Sequence, residues 1–272
     1  MALSLVAFII LVAQVILVTA DQNRLNKFIF HGDFEIIDLT YPVNENSVYW
    51  VNAKKFEFTN KLGLKGKVGS WYATNDYASG EHVGTHLDAP FHFAEHGIKV
   101  GDIPVEKLIV PLIIIDMRSK VNDDPNFVLE KHHLDHMLND NFGKPCAVLV
   151  RFGWGKFYHD REQYLGLKPD GSLNFPGISA EVAKWIVESY KNVVAVGVDV
   201  ASLDPGSSKD YMVHQILLGA GLYQMENVNF GNHTLPDSGC LGIALPMKIA
   251  AGTGAPLRLV AMCPKQVPTS FD

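Results

Sequence analysis

The chain has 272 residues, 47% hydrophobic and 19% charged, with a formal net charge of -6 at pH 7. That length suffices for a sizeable core in one large domain. The acidic balance excludes nucleic acid as a partner, because binding it demands basic patches.

Residues 1–20 carry no charge, are nearly all apolar, and end Val18-Thr19-Ala20 before the polar Asp21. This pattern predicts a secretory signal peptide cut after Ala20, hence secretion or the ER lumen with no membrane attachment afterwards. A signal anchor is the alternative, since about twenty apolar residues can span a bilayer. No linker or repeat divides the rest, which reads as one domain over 21–272. From Phe34 to Tyr72 the pattern alternates between turn signals and predicts antiparallel strands added to the core.

The string that follows reads His82-Val-Gly-Thr-His86-Leu-Asp88-Ala-Pro-Phe-His92-Phe. His82, His86, Asp88 and His92 all bind metals or move protons, and their even positions would share one face of a strand. A flat strand would spread His82 and Asp88 about 20 Å apart at roughly 3.3 Å per residue. The segment must bend to wrap one ion, and Gly84 and Pro90 supply the bending points.

Continuous apolar runs at Leu108–Ile115, Cys146–Phe152, Val193–Val200 and Leu257–Cys263 predict strands covered on both faces. Ser179 is a candidate N-cap for a helix running toward Tyr190. A second helix is predicted over Leu129–Leu138. Its His132, His133 and His136 lack the Glu of a His-Glu-x-x-His motif and read as a solvated face. Alternating elements predict an α/β domain with a mixed sheet.

Asp199, Asp204, Ser208, Asp210, His214 and Glu226 form a second polar cluster beyond the strand Val193–Val200. Loops leaving the carboxyl ends of strands are where α/β sheets place chemistry. Glu226 ends an apolar run, where a carboxylate wants a cation or a hydrogen-bond partner. Asn232-His-Thr is a glycosylation sequon and predicts a surface loop. Of the 3 cysteines, Cys146 reads as a buried thiol and Cys240 with Cys263 as the pair. There is no Gly-x-Ser-x-Gly elbow, dinucleotide fingerprint or Walker loop.

The string His82-x-Gly-Thr-His86-x-Asp88-x-Pro-x-His92-Phe resembles the signature of the cyclase family of metal-dependent hydrolases, which includes metal-dependent kynurenine formamidase and isatin hydrolase. Asp38-Leu-Thr-Tyr-Pro, Arg151-Phe-Gly-Trp, Phe175-Pro-Gly-Ile-Ser, Gly197-Val-Asp-Val-Ala-Ser-Leu-Asp-Pro and the His214…Glu226 pair resemble further family segments. The resemblance implies an α/β, mixed-sheet, swivelling β/β/α fold and a homodimer. It implies that His82, His86 and Asp88 hold one Zn²⁺ or Mn²⁺, with Asp88 bridging to a second ion on His214 and Glu226. His92 matches the family's proton donor and acceptor. Trp50 matches an aromatic substrate contact, although Asn46-Ser-Val-Tyr-Trp50-Val-Asn departs from the usual Trp-Pro-Gly. The expected activity is hydrolysis of a small-molecule amide, an aryl formamide such as N-formylkynurenine. The alternatives are an isatin-type cyclic amide hydrolase and an inert metal-binding protein of the same fold.

Overall fold

The computed structural model describes Gly32 and residues 34–65, 71–134 and 144–265. The predicted leader 1–20, and His136 with the far end of the helix predicted over Leu129–Leu138, lie outside these residues. Ile37–Ala261 forms one compact unit. Among the described residues no helix is long and apolar enough to cross a membrane.

The strands are β1 (Phe34–Asp38), β2 (Glu57–Lys65), β3 (Trp71–Ala78), β4 (His86–Asp88), β5 (Ile109–Asp116), β6 (Val128–Leu129), β7 (Cys146–Arg151), β8 (Gly177–Ile178), β9 (Val193–Val198), β10 (Tyr223–Glu226), β11 (Leu241–Pro246) and β12 (Gly254–Pro264). The main sheet runs β1-β12-β11-β5-β7-β9-β10-β4, and β4 also pairs with β12. That last pairing closes the sheet on itself like a barrel. β5, β7, β9 and β10 are parallel neighbours, and β4 is antiparallel to both β10 and β12. Three of the four apolar runs chosen from sequence therefore form β5, β7 and β9 of the parallel centre, where both faces are covered, whereas the fourth, Leu257–Cys263, lies in β12, which pairs antiparallel with β4. β7 is buried at every residue.

β2 and β3 form their own two-stranded antiparallel sheet instead of extending the main one. Nearly every residue of β3 is exposed, so its alternation marks no buried face. The helix Ala180–Ser189 forms as expected, with the Ser179 hydroxyl accepting from the Val182 N–H at 3.2 Å. Such a cap contributes about 1 kcal/mol, and Val182, Ala183 and Ile186 face the core.

The helix predicted over Leu129–Leu138 does not start. Leu129 instead pairs with Ile178 in the β6–β8 ladder, and Lys131–His133 form a 3-10 turn. His133 Nδ1 accepts the Glu130 N–H at 3.0 Å, which ties the turn to its own start. A buried leucine committed to a strand overrides a weak helical pattern.

Cys240 and Cys263 are disulfide-bonded, and Cys146 is a buried free thiol. Burial raises the Cys146 thiol to about 11, and a thiol that stays protonated is a poor nucleophile. Native protein is accordingly expected to leave an aromatic disulfide reagent unconsumed at pH 7, whereas protein unfolded in guanidinium should release one thiolate equivalent. Rapid labelling of the native protein would contradict this.

Candidate metal centre and active site

The string His82–His92 bends as its glycine and proline require. Gly84 sits at φ +59, which a side chain would strain. Tyr49 and Val83 form an antiparallel bridge, β4 then carries His86 and Asp88, and Pro90–His92 turn as a 3-10 helix. In the β4–β10 ladder Glu226 lies opposite His86. The helix Met212–Gly219 brings His214 to the same place.

Five side chains predicted as ligands thus converge in two overlapping groups: His82, His86 and Asp88, then Asp88, His214 and Glu226, with the ligand atoms of each group all within 4.8 Å of one another. His82 Nδ1 lies 2.6 Å from Asp88 Oδ1, and His86 Nε2 lies 3.2 Å from the same oxygen. His86 Nε2 is 3.3 Å from Glu226 Oε2, and His214 Nε2 is 3.1 Å from Glu226 Oε1. Asp88, His214 and Glu226 are almost wholly buried, with side chains 1%, 6% and 7% exposed. His92 belongs to neither group. Its ring stacks on that of His82, with centroids 4.1 Å apart.

The second nitrogens of two rings are already engaged. His214 Nδ1 meets Asp204 Oδ2 at 2.6 Å, and Asp204 also accepts the N–H groups of Val213 and His214. His86 Nδ1 faces the Gly84 carbonyl at 2.9 Å. In both rings Nε2 is left aimed at the carboxylates, the arrangement that presents a lone pair to a metal. Asn227, at φ 55, holds the Gly84 carbonyl through its Nδ2 at 2.8 Å and accepts from the Tyr164 hydroxyl at 2.9 Å.

The electrostatics agree with this geometry. Burial works against a charged His86, yet Asp88 and Glu226 outweigh it and raise the ring to about 10. His214 is likewise raised well above its usual range: burial opposes, and the hydrogen bond to Asp204 together with the nearby Asp88 and Glu226 carboxylates prevails. Asp88 falls well below the usual carboxylate range, because the neighbouring imidazolium charges overcome its burial. The carboxylates therefore hold cationic charge at this spot as protons when no ion is there. His92 goes the other way. Burial, reinforced by His82 and His214, lowers it to about 4. It is a neutral imidazole at pH 7.

Asp88 Oδ2 and Glu226 Oε1 are buried and make no hydrogen bond. Their histidine neighbour, His214, lies 3.6 Å from the first, too far for a hydrogen bond, and 3.1 Å from the second but out of line for one. An orphaned carboxylate oxygen is costly, whereas a divalent cation between these atoms would satisfy it. Two imidazoles with a carboxylate, and two carboxylates with an imidazole, are donor sets that suit Zn²⁺ or Mn²⁺. The residues fit the ion.

Above them lies a cavity of about 400 Å³ whose walls include Trp50, Phe93, Tyr211, Ser202 and Asn52. Trp50 is thus at the cavity, edge-on to Tyr211 with centroids 6.3 Å apart. Tyr211 occupies the left-handed region at φ 51, a strained conformation of the kind found at ligand sites. Sequence reasoning did not single out Phe93, Tyr211 or Asn227. Asp204 stood in the second cluster without a role, although an Asp-Pro step beyond a buried strand was its signal. Asp199, Ser208 and Asp210, from the same cluster, have structural duties. Asp199 accepts the N–H groups of Phe152 and Gly153 at 2.7 and 2.8 Å, and Ser208 bonds Asp210. His132 is exposed and paired with Glu130, away from the centre. Asn232 is exposed, as a sequon requires.

A closed mixed sheet with two three-donor groups beside a neutral histidine defines a metal-dependent hydrolase. The chain belongs to the Cyclase family, whose model ("Putative cyclase") matches residues 37–205. It is 30% identical to kynurenine formamidase of Bacillus cereus over 83% of this chain and 96% of that protein. It is 27% identical to isatin hydrolase of Roseibium aggregatum over 89% of this chain and 97% of that one. Among solved structures, isatin hydrolase A from Ralstonia solanacearum superposes with a TM-score of 0.79 at 25% identity, covering 89% of this chain and 97% of that one.

Proposed function

We propose that this protein hydrolyses an aromatic amide with Zn²⁺ or Mn²⁺ held by His82, His86 and Asp88, and a second ion position on Asp88, His214 and Glu226. The observation that carries this is the shared Asp88, whose Oδ2 is buried without a hydrogen bond between the two donor groups. When bound, such an ion lowers the pKa of water from 15.7 toward about 7 and polarises the substrate carbonyl. Around it the chain's own groups divide the work. His92, neutral at pH 7, takes a proton from the attacking water and returns it to the leaving nitrogen. Trp50, Phe93 and Tyr211 hold the aryl ring, and the apolar walls limit competing water.

The leading substrate class is an aryl formamide such as N-formylkynurenine, whose leaving nitrogen is a weakly basic arylamine. A second reading, a cyclic amide such as isatin, is favoured by one feature of the cavity. Among its lining residues there is neither lysine nor arginine to pair with a substrate carboxylate. The apolar leader, the disulfide-bonded cysteines and the exposed Asn232 support a secreted or ER-lumenal glycoprotein. The exposed aromatics of β3, Trp71, Tyr72 and Tyr77, are surface that a homodimer would cover.

Dialysis against a chelator is expected to abolish hydrolysis of N-formylkynurenine or isatin, and added Mn²⁺ or Zn²⁺ to restore it. Elemental analysis before and after dialysis gives the ion count. Activity indifferent to the chelator, with no metal in the purified protein, would sink the reading.

A further inference from the structure

The third ring, His82, is governed from outside the two donor groups. Its Nδ1 faces Asp88 Oδ1 at 2.6 Å, and its Nε2 faces the Thr253 hydroxyl at 2.9 Å. Thr253 lies just before β12, and its backbone carbonyl accepts the Ala89 N–H, which anchors it beside the histidine string. The Thr253 hydroxyl in turn lies 2.6 Å from Glu81 Oε2, and the Thr253 N–H reaches the same oxygen at 2.9 Å. The approach is close. A Cβ at the next residue, Gly254, would stand 2.6 Å from His82 Cε1.

The direction of these bonds follows from the donor inventory. An ionised carboxylate only accepts, and a hydroxyl has one hydrogen to give. The contact between Thr253 and Glu81 uses that hydrogen, so the Thr253 oxygen can only accept from His82. The imidazole must then carry its proton on Nε2. In a neutral ring this leaves a bare lone pair on Nδ1, facing a carboxylate oxygen. Two lone pairs at that distance repel unless a cation lies between them. The opposite tautomer, with Nδ1–H donating to Asp88, would block the metal, and it requires Thr253 to turn its hydrogen away from Glu81.

We infer that Glu81 and Thr253 are a positioning pair that fixes His82 in its Nε2–H tautomer and so makes Nδ1 a metal ligand. The inference rests on the metal-binding reading above. Neither residue lines the cavity, and their side-chain hydrogen bonds reach the donor groups through His82. Its expected weight is that of a partner behind a metal-bound histidine, about 10–100-fold in metal affinity.

The test is the dissociation constant for Mn²⁺, measured by competition with a fluorescent chelator, alongside the melting temperature of the metal-free protein. Three variants suffice. Thr253→Val keeps the shape and removes the hydroxyl. Thr253→Ser restores it. Glu81→Ala removes the acceptor, which leaves the Thr253 N–H to water and frees the Thr253 hydrogen to point at His82. Thr253→Val and Glu81→Ala are expected to weaken Mn²⁺ binding about 10–100-fold, with metal-free melting near wild type, and Thr253→Ser to bind within about threefold of wild type. If Thr253→Val fails to fold, Glu81→Ala decides alone. Wild-type affinity in Glu81→Ala overturns the inference, as does a loss in Thr253→Val that Thr253→Ser does not repair. Failure of the wild type itself to bind Mn²⁺ or Zn²⁺ would overturn the metal reading instead.

Discussion

Replacing Asp88 with Asn is expected to remove metal binding and activity together. Asp88 alone belongs to both donor groups, so one substitution strips a ligand from each. The amide retains the volume but carries no charge, and its nitrogen is a donor where a lone pair is needed. A fall of at least about 10³-fold in kcat/KM, roughly 4 kcal/mol at 1.36 kcal/mol per tenfold, should accompany loss of metal by elemental analysis. Glu226→Gln, which removes a member of the second group alone, is the comparison and should retain more of both.

The same substitution has a signature in the metal-free protein. Asp88 is held well below its usual 3.8, so the stability it contributes is present above that value and lost as pH falls through its folded value. His86 is raised from 6.5 to about 10, so its share is present below 6.5 and lost as pH rises through about 10. Their pairing is at full strength between 3.8 and 6.5. Calorimetric melting of metal-free protein should therefore peak in that window, and Asp88→Asn should flatten the profile. An unchanged profile with metal content retained would remove Asp88 from the centre.

How much of this was legible in the chain follows from distance along it. His82, His86, Asp88 and His92 stand close together and share parity, so local spacing alone exposed them, and the bend was forced by the length of a strand. The parallel strands β5, β7 and β9 were legible because burial on both faces leaves a continuous apolar run. His214 and Glu226 stood out as members of a second polar cluster, but their place beside the first came from resemblance, since nothing local says that β10 lies beside β4. Thr253 was invisible, being 171 residues from the ring it governs. The closure of the sheet depends on the β4–β12 pairing, a register between two short stretches that no periodicity reports. Leu129 misled for the opposite reason. Its local pattern was real but weak, and the ladder with Ile178 won.

His92→Ala is expected to separate chemistry from binding. His92 stacks on His82 but lies outside both donor groups, so metal content should stay near wild type. Turnover should fall about 10²–10⁴-fold, the usual contribution of a positioned proton carrier. The pH profile adds an independent reading. Burial, with His82 and His214 nearby, places His92 at about 4 in the metal-free protein, and a divalent cation close by pushes in the same direction, against a further positive charge. In metal-saturated wild type the acid limb of kcat/KM should accordingly fall well below 6.5, the usual histidine value. In His92→Ala the residual rate should lose that limb, since the group that must be deprotonated is gone. Metal lost from His92→Ala would make the ring a ligand. An intact acid limb in that variant would assign the proton transfer to another group at the centre.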